Sequence, residues 1–221
     1  MTHDNTFKLS YVCTGNNARS PLAAAFTYGI VSHESAGVRW HITSSGTEAV
    51  DGGGVRPEVA RAAGEVALDL SEHRTRPFSV ESCLESDLVL GMGWDHVSHI
   101  WSLAPEAWGK VFTIKEFVHW AKLAPLRPPI LFPGRVEQMR DKVAQAHAIR
   151  KRARADHGFW GGLRHQELNL IEPDGHGAEA WTTLVGAVQA LVQDVIMLLR
   201  AEGTQPASAP SPPPRRRRRK A

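Results

Sequence analysis

Short apolar runs alternate along the chain with segments whose apolar residues recur at helical spacing. "FKLSYVC" (7–13) is a continuous apolar run of strand length, and "SDLVLGMG" (86–93) is another. Unbroken runs of this kind suit parallel strands covered on both faces. "RWHITSSG" (39–46) and "GKVFTI" (109–114) read as two further strands. Between them, "SPLAAAFTYGIVSHESAG" (20–37), "PEVARAAGEVAL" (57–68) and "KEFVHWAKL" (115–123) read as helices, with Pro21 and Pro57 suited to first turns. The clearest helix is the last. Trp181, Leu184, Val185, Val188, Leu191, Val192, Val195, Leu198 and Leu199 follow the i, i+3, i+4, i+7 spacing, a stripe that predicts packing on a sheet. Strands alternating with helices predict an α/β fold with right-handed crossovers.

Residues 124–134, "APLRPPILFPG", are too proline-rich for regular structure, and 135–155 read as a long polar helix. The loop of about twenty residues that follows is long enough to suggest a functional role. Composition adjusts this picture in three ways. The chain carries 26 basic and 23 acidic residues, but six of the basic ones form the run Arg215–Lys220. Without that run the balance is 20 against 23, so the folded part is mildly acidic and does not read as a nucleic-acid binder. The low-complexity tail 203–221 is expected to be disordered; its basic run is either simply solvated or a contact for nucleic acid, acidic lipid or an acidic partner. The expected organisation is one domain over 1–202, with an expanded segment at about 124–165, and that tail. Two cysteines, no basic and apolar leader, and no run of about 18 apolar residues predict a cytoplasmic chain without a membrane span. His96 and His99 are i, i+3 with no third ligand nearby, so no metal is predicted.

The stretch "YVCTGNNARSPLAAAF" (11–26) joins the first strand to the first helix. Cys13 ends the strand and Ser20 opens the helix, so the backbone between them must wrap tightly. Gly15 takes positive φ at little cost, and Asn16 and Asn17 tolerate the left-handed region better than most residues. Amides of such a loop can turn inward as an anion nest, and the helix N-terminus adds unpaired donors. A thiol placed there beside a cation is favoured as the thiolate. Arg19 offers a planar fork that grips two oxygens of a phosphoryl group, and Ser20 can donate to the sulfur. The stretch lacks the Gly-Lys-Ser/Thr ending of the nucleotide-binding P-loop. C-x5-R-S is instead the signature of cysteine-dependent phosphatases. It is weak alone, and specific when an apolar strand precedes it and Ser-Pro opens a helix after it.

This opening resembles the low molecular weight protein tyrosine phosphatase family, whose loop reads C-x-G-N-x-C-R-S-P. "ITSSGTEA" (42–49), "LSEHRTRPFS" (70–79), "SDLVLGMGWDHVSHI" (86–100) and "NLIEPDGHGAEAW" (169–181) resemble later family segments, with an expanded middle. The resemblance implies a four-stranded parallel sheet flanked by helices on both faces. It implies a cofactor-free, cysteine-dependent hydrolase of phosphomonoesters, acting on a phosphorylated protein or small phosphomonoester through phosphocysteine, with protein phosphotyrosine as the expected substrate. By the same resemblance Cys13 is the nucleophile, and Arg19 holds phosphate together with Thr14, Gly15, Asn16, Asn17, Ala18 and Ser20. Asn16 holds the loop in its strained shape, Ser20 supports the thiolate, and His73 braces Asn16 from behind. The family's general acid is an aspartate before a proline. Here Glu172 precedes Pro173, so Glu172 is the expected acid and Asp174 the alternate.

Two further departures accompany the likeness. Phosphotyrosine-selective members flank the pocket with aromatics, whereas this chain has Asp174-Gly175-His176 and "EAVDGGGV" (48–55) in those places. Trp94, Trp101, Phe159 and Trp160 are the rings left to stand in, or they are packing residues. Ala18 replaces a second cysteine, and Cys83 reads as a buried small apolar residue. The same scaffold also leaves two rivals: an arsenate reductase drawing on an external thiol, and a non-enzymatic oxyanion-binding module.

Overall fold

The computed structural model describes residues 5–32, 37–127, 134–158 and 161–201. Four strands, β1 (Thr6–Cys13), β2 (Arg39–Gly46), β3 (Leu88–Gly91) and β4 (Val111–Thr113), form one parallel sheet in the order β2-β1-β3-β4. The two central strands are the continuous apolar runs, and β3 is buried throughout. β2 lies at an edge, and its Arg39 and His41 are exposed. Register places Cys13 opposite Gly46, and Val12 opposite Gly91.

Helices cover both faces. α3 (Val80–Glu85) and α4 (Trp94–Leu103) belong to a smaller core of Val12, Cys83, Val89, Val97, Ile100 and Val111. α1 (Arg19–Val31), α2 (Pro57–Gly64), α5 (Ile114–Leu123) and α7 (Ala178–Arg200) share the larger core, and α6 (Arg135–His157) packs beside α5 and α7. The predicted stripe of α7 is where its burial falls, from Trp181 to Leu199. Among the described residues, α7 is also the helix long and apolar enough to cross a membrane by length and composition. Its buried face against α1, α2 and α5 accounts for that apolarity.

Several element ends differ from the sequence reading. α2 stops at Gly64 rather than Leu68, because the chain turns at Ala67, which takes φ 56°. The fourth strand shrinks to three residues. Residues Pro105–Gly109 form a 3-10 turn before it, and the Thr113 hydroxyl accepts from the Glu116 amide to start α5 at Ile114. α1 ends at Val31; residues 33–36, the proline-rich 128–133, Phe159, Trp160 and the tail from 202 lie outside the described residues.

Strand order sets the place where a ligand can sit. The chain leaves β1 towards β2 and then returns past it to β3, so connections diverge at the carboxyl ends of β1 and β3. Parallel sheets open a crevice at such a switch point. Cys13 closes β1 and Gly91 closes β3 there.

Candidate active site

The loop from Thr14 to Ala18 is turned inside out by its neighbours. The Cys13 carbonyl accepts from the Thr47 amide, Thr14 from the Glu48 amide and Asn17 from the Arg56 amide, each at 2.9 Å. The Asn16 carbonyl lies 2.7 Å from His73 Nε2, which must donate to it. Burial lowers the His73 pKa, in keeping with a neutral ring that carries its proton on that nitrogen. A trans peptide points each N–H away from the preceding C=O. Four outward carbonyls therefore direct the amides of Thr14, Gly15, Asn17 and Ala18 inward.

Asn16 occupies the left-handed region at φ 52° and is fully buried. Its side-chain amide donates to the hydroxyls of Ser20 (2.9 Å) and Ser44 (3.0 Å), and its carbonyl oxygen accepts from the Arg76 amide (2.9 Å). Gly46 lets β2 approach this loop: a Cβ there would stand 2.3 Å from the Thr14 carbonyl and 2.7 Å from the Asn16 amide.

Cys13 Sγ sits 3.0 Å from Ser20 Oγ. The serine hydroxyl has one hydrogen and a second acceptor, the Ser45 carbonyl, at 3.2 Å. It can thus serve either a thiolate or that carbonyl. Ala18 at the start of α1 supplies no side-chain cap, and no acidic residue occupies the first turn. The helix's first donors are left for an external anion. Arg19 is buried. Its Nη1 donates to the Leu170 carbonyl (3.1 Å), and its Nη2 donates to Thr14 Oγ1 (3.2 Å) and pairs with Glu172 Oε2 (2.9 Å). Among the described residues its Nε is buried and has no partner.

A cavity of about 460 Å³ opens beside Thr14 and Arg19, walled by Thr47, Glu48, Asp95, His96, His99 and Glu172 among others. Cys13, 1% exposed, is not in that wall. Glu172 reaches the cavity because the segment before it is pinned. Asn169 Oδ1 accepts from the Trp94 amide (2.7 Å), the Asn169 carbonyl accepts from Lys115 (2.8 Å), and the Leu170 amide donates to the Met92 carbonyl (2.8 Å). Asn169 also supplies the cap that Gly93 cannot give to α4. Glu172 is 14% exposed and Asp174 is 66% exposed. Only Glu172 lines the cavity; Asp174 instead pairs with Arg56 at 2.6 Å.

The family model for low molecular weight phosphotyrosine protein phosphatases matches residues 8–143. The chain belongs to this family. Its relatives include the low molecular weight protein-tyrosine-phosphatase Wzb of Salmonella typhimurium, 35% identical over 117 residues, covering 51% of this chain and 70% of that protein. A protein-arginine-phosphatase of Bacillus subtilis is 36% identical over 108 residues, covering 49% and 70%. The fold is shared with the low molecular weight protein tyrosine phosphatase of T. tengcongensis, at TM-score 0.59 and 24% identity over 86% of this chain and 97% of that one. A YwlE mutant from Bacillus subtilis gives TM-score 0.61 and 23% identity over 88% and 99%. The protein is thus a cysteine-based phosphatase of the low molecular weight type, and the four-stranded parallel sheet expected from the resemblance is present.

At the walls of the site the two candidate tryptophans within the described residues are packing residues, the second of the two readings the sequence left for them. Trp94 and Trp101 stack edge to face at 5.1 Å on each other, under Arg154, and do not line the cavity. Among the described residues the rings that do are the imidazoles of His96 and His99. His96 Nε2 lies 3.0 Å from Thr14 Oγ1. Burial and the Arg19 charge push its pKa down to about 4, so a neutral ring faces a hydroxyl that already accepts from Arg19. Sequence reasoning missed this role, and missed Arg56, Asn169 and Ser44. Only Asn169, just ahead of the Glu-Pro pair, carried a usable signal: an Asn docked where a glycine-started helix needs a cap.

Proposed function

We propose that the phosphatase hydrolyses a phosphorylated protein side chain through a phosphocysteine at Cys13. The observation that carries this reading is the outward turn of four carbonyls, those of Cys13, Thr14, Asn16 and Asn17, in the loop that follows a buried sulfur, with the buried Arg19 Nε unpartnered among the described residues. Inward amides and a guanidinium match the equatorial oxygens of a phosphoryl group in transfer. The Cys13 thiolate attacks phosphorus, an S–P bond forms, and the bond from phosphorus to the leaving atom, oxygen in phosphotyrosine or nitrogen in phosphoarginine, breaks. Glu172, as the carboxylic acid, gives its proton to that departing atom. Its carboxylate then takes a proton from water, whose oxygen attacks phosphorus as the S–P bond breaks. Ser20 turns its single hydrogen to the sulfur as negative charge returns there. Cys83, in the core of the opposite face with its thiol pushed up to about 11 by burial, is unsuited to resolve an arsenate adduct, which disfavours a reductase that uses its own second thiol. A reducing, cytoplasmic setting suits two free cysteines.

Protein phosphotyrosine is the substrate expected from the resemblance. The cavity wall favours a second reading, protein phosphoarginine. Glu48 and Asp95 line the mouth, and no phenol or indole does so among the described residues. A cationic leaving group gains from acids where a phenol would need rings, and one relative is named a protein-arginine-phosphatase. Purified protein assayed on matched phosphotyrosine and phosphoarginine peptides is expected to give the higher kcat/KM on phosphoarginine; a tenfold preference for phosphotyrosine would reverse the assignment. In both cases Cys13→Ser is expected to abolish turnover and to retain vanadate binding by calorimetry. Near-normal turnover in that variant would remove Cys13 as nucleophile.

A further inference from the structure

Glu172 divides its two oxygens between two guanidiniums. Oε2 lies 2.9 Å from Arg19 Nη2, and Oε1 lies 2.9 Å from Arg56 Nη1. The first pairing conflicts with catalysis. A phosphoryl oxygen arriving in the cradle competes for the Arg19 donor that Glu172 occupies. Once Arg19 is taken, the contact left to keep this carboxylate over the cradle is Arg56.

Arg56 is itself fixed on several sides. Its guanidinium carbon stands 4.9 Å from the centroid of the Trp181 ring on α7. Its Nη1 also pairs with Asp174 at 2.6 Å. Its backbone N–H donates to the Asn17 carbonyl, within the cradle loop. The backbone just before it is pinned as well, since the Gly52 amide donates to the Thr75 carbonyl at 2.8 Å and the Thr75 amide to the Gly53 carbonyl at 2.7 Å. One residue therefore ties the loop that holds phosphate to the loop that carries the acid, and a stacked guanidinium gives up little rotamer freedom on binding both carboxylates.

We infer that Arg56 is the positioning residue of the acid loop, retaining one oxygen of Glu172 while the substrate's phosphoryl group displaces the other from Arg19. The inference rests on the reading of Glu172 as proton donor. It also gives Asp174 a separate part: the counterion that keeps Arg56 turned towards Glu172.

The test compares leaving groups. A proton donor matters most when the leaving oxygen is basic, so kcat/KM is measured on phenyl phosphate and on p-nitrophenyl phosphate. Arg56→Met keeps bulk over Trp181 and removes the charge. It is expected to lower kcat/KM on phenyl phosphate by about 10²-fold, the scale of general acid catalysis, and on p-nitrophenyl phosphate by only a few fold. Arg56→Lys keeps the charge without the fork and is expected to recover part of the loss. Arg56→Met in a Glu172→Gln background is expected to cost little more than Glu172→Gln alone, since the two act as one unit. Equal losses on both substrates from Arg56→Met, or no recovery by lysine, would reduce Arg56 to a structural residue and overturn the inference. If Glu172→Gln shows the selective loss and Arg56→Met does not, Arg56 alone is misassigned. If Glu172→Gln itself shows no selectivity, the proton-donor reading falls and this inference falls with it.

Discussion

At the scale of single residues, two carboxylates two positions apart in sequence have been given different surroundings. Glu172 is mostly buried, lines the cavity and touches Arg19; Asp174 is open to water and touches only the outer guanidinium. Glu172→Gln is therefore expected to cut kcat/KM on phenyl phosphate by about 10²-fold or more, and Asp174→Asn by less than about tenfold. Steady-state kinetics on the two variants checks the order, and a larger loss from Asp174→Asn would transfer the acid to that position. The residues that meet at the cradle were legible wherever chemistry and chain proximity coincide. Cys13, Asn16, Arg19 and Ser20 fall within eight positions, and a loop joining a strand to a helix around an anion leaves few other choices for them. His73 was legible only through the family resemblance, and it does reach the Asn16 carbonyl. Arg56 was not legible. It follows a glycine run, and its partner Glu172 lies 116 residues further on, a separation that no local pattern encodes. Ser44 and Gly46 were hidden for the opposite reason: small residues at a strand end look alike whether they make room or merely end the strand.

At the scale of elements, α6 reads as a polar helix because half of its buried face is polar or charged: Gln138, Lys142, Gln145 and Arg150 are buried beside Val136, Met139, Val143 and Ala146. Arg150 is 0% exposed; it donates to the carbonyls of Val111 (2.7 Å) and Trp108, and lies 3.4 Å from Glu116 Oε2. Its guanidinium carbon stands 3.8 Å from the Phe112 ring centroid. Arg154 reaches the other oxygen of Glu116 at 3.1 Å. One carboxylate on α5 thus serves two cations on α6, and one of those cations, Arg150, also holds the Trp108 carbonyl of the 3-10 turn before β4. Removing one partner of a buried pair strands the other's charge. Glu116→Gln is expected to destabilise the fold by about 3 kcal/mol or more, read as a lowered urea midpoint. Arg152→Ala, which breaks an exposed pair with Asp156 at 3.8 Å, is expected to change stability by less than about 0.5 kcal/mol. Equal, small effects would mean that α6 is held by Val136, Met139, Val143 and Ala146 alone. This also explains why the buried side of α7 was legible and the polar half of the buried side of α6 was not. An apolar stripe announces its side in sequence, whereas a buried arginine looks like a solvated one until its partners are known. The boundaries of β4 and α2 were misread for a related reason, since a Thr cap and a left-handed alanine are local choices that apolar runs do not report.

At the scale of the molecule, two histidines couple the fold to acidity. His96 bridges the cradle and α4 through Thr14, and His147 accepts from Arg150 Nη2 of its own helix at 2.9 Å and meets the Trp108 ring of the 3-10 turn edge to face at 4.9 Å. Burial pushes both pKa values down to about 4, helped by Arg19 for His96, and by Arg150, Lys151 and Arg154 for His147. In the unfolded chain both titrate near ~6.5. Between these values the unfolded chain binds more protons than the folded one, so stability rises with pH across this window. The stabilisation relative to an acidic solution is complete above about pH 6.5 and is lost as pH falls towards about 4, at up to about 3 kcal/mol for His96 and less for the more open His147. Carboxylates held in ion pairs act in the same direction, so the useful measurement is a double difference. Urea unfolding of the wild type and of His96→Gln at pH 7.5 and pH 4.5 is expected to show the wild type losing about 2–3 kcal/mol more on acidification, because glutamine has no proton to take up. A stability gap that stays constant between the two pH values would mean that the ring at position 96 admits a proton in the folded state, and with it that the Thr14 hydroxyl is held by some donor arrangement other than a neutral imidazole beside Arg19.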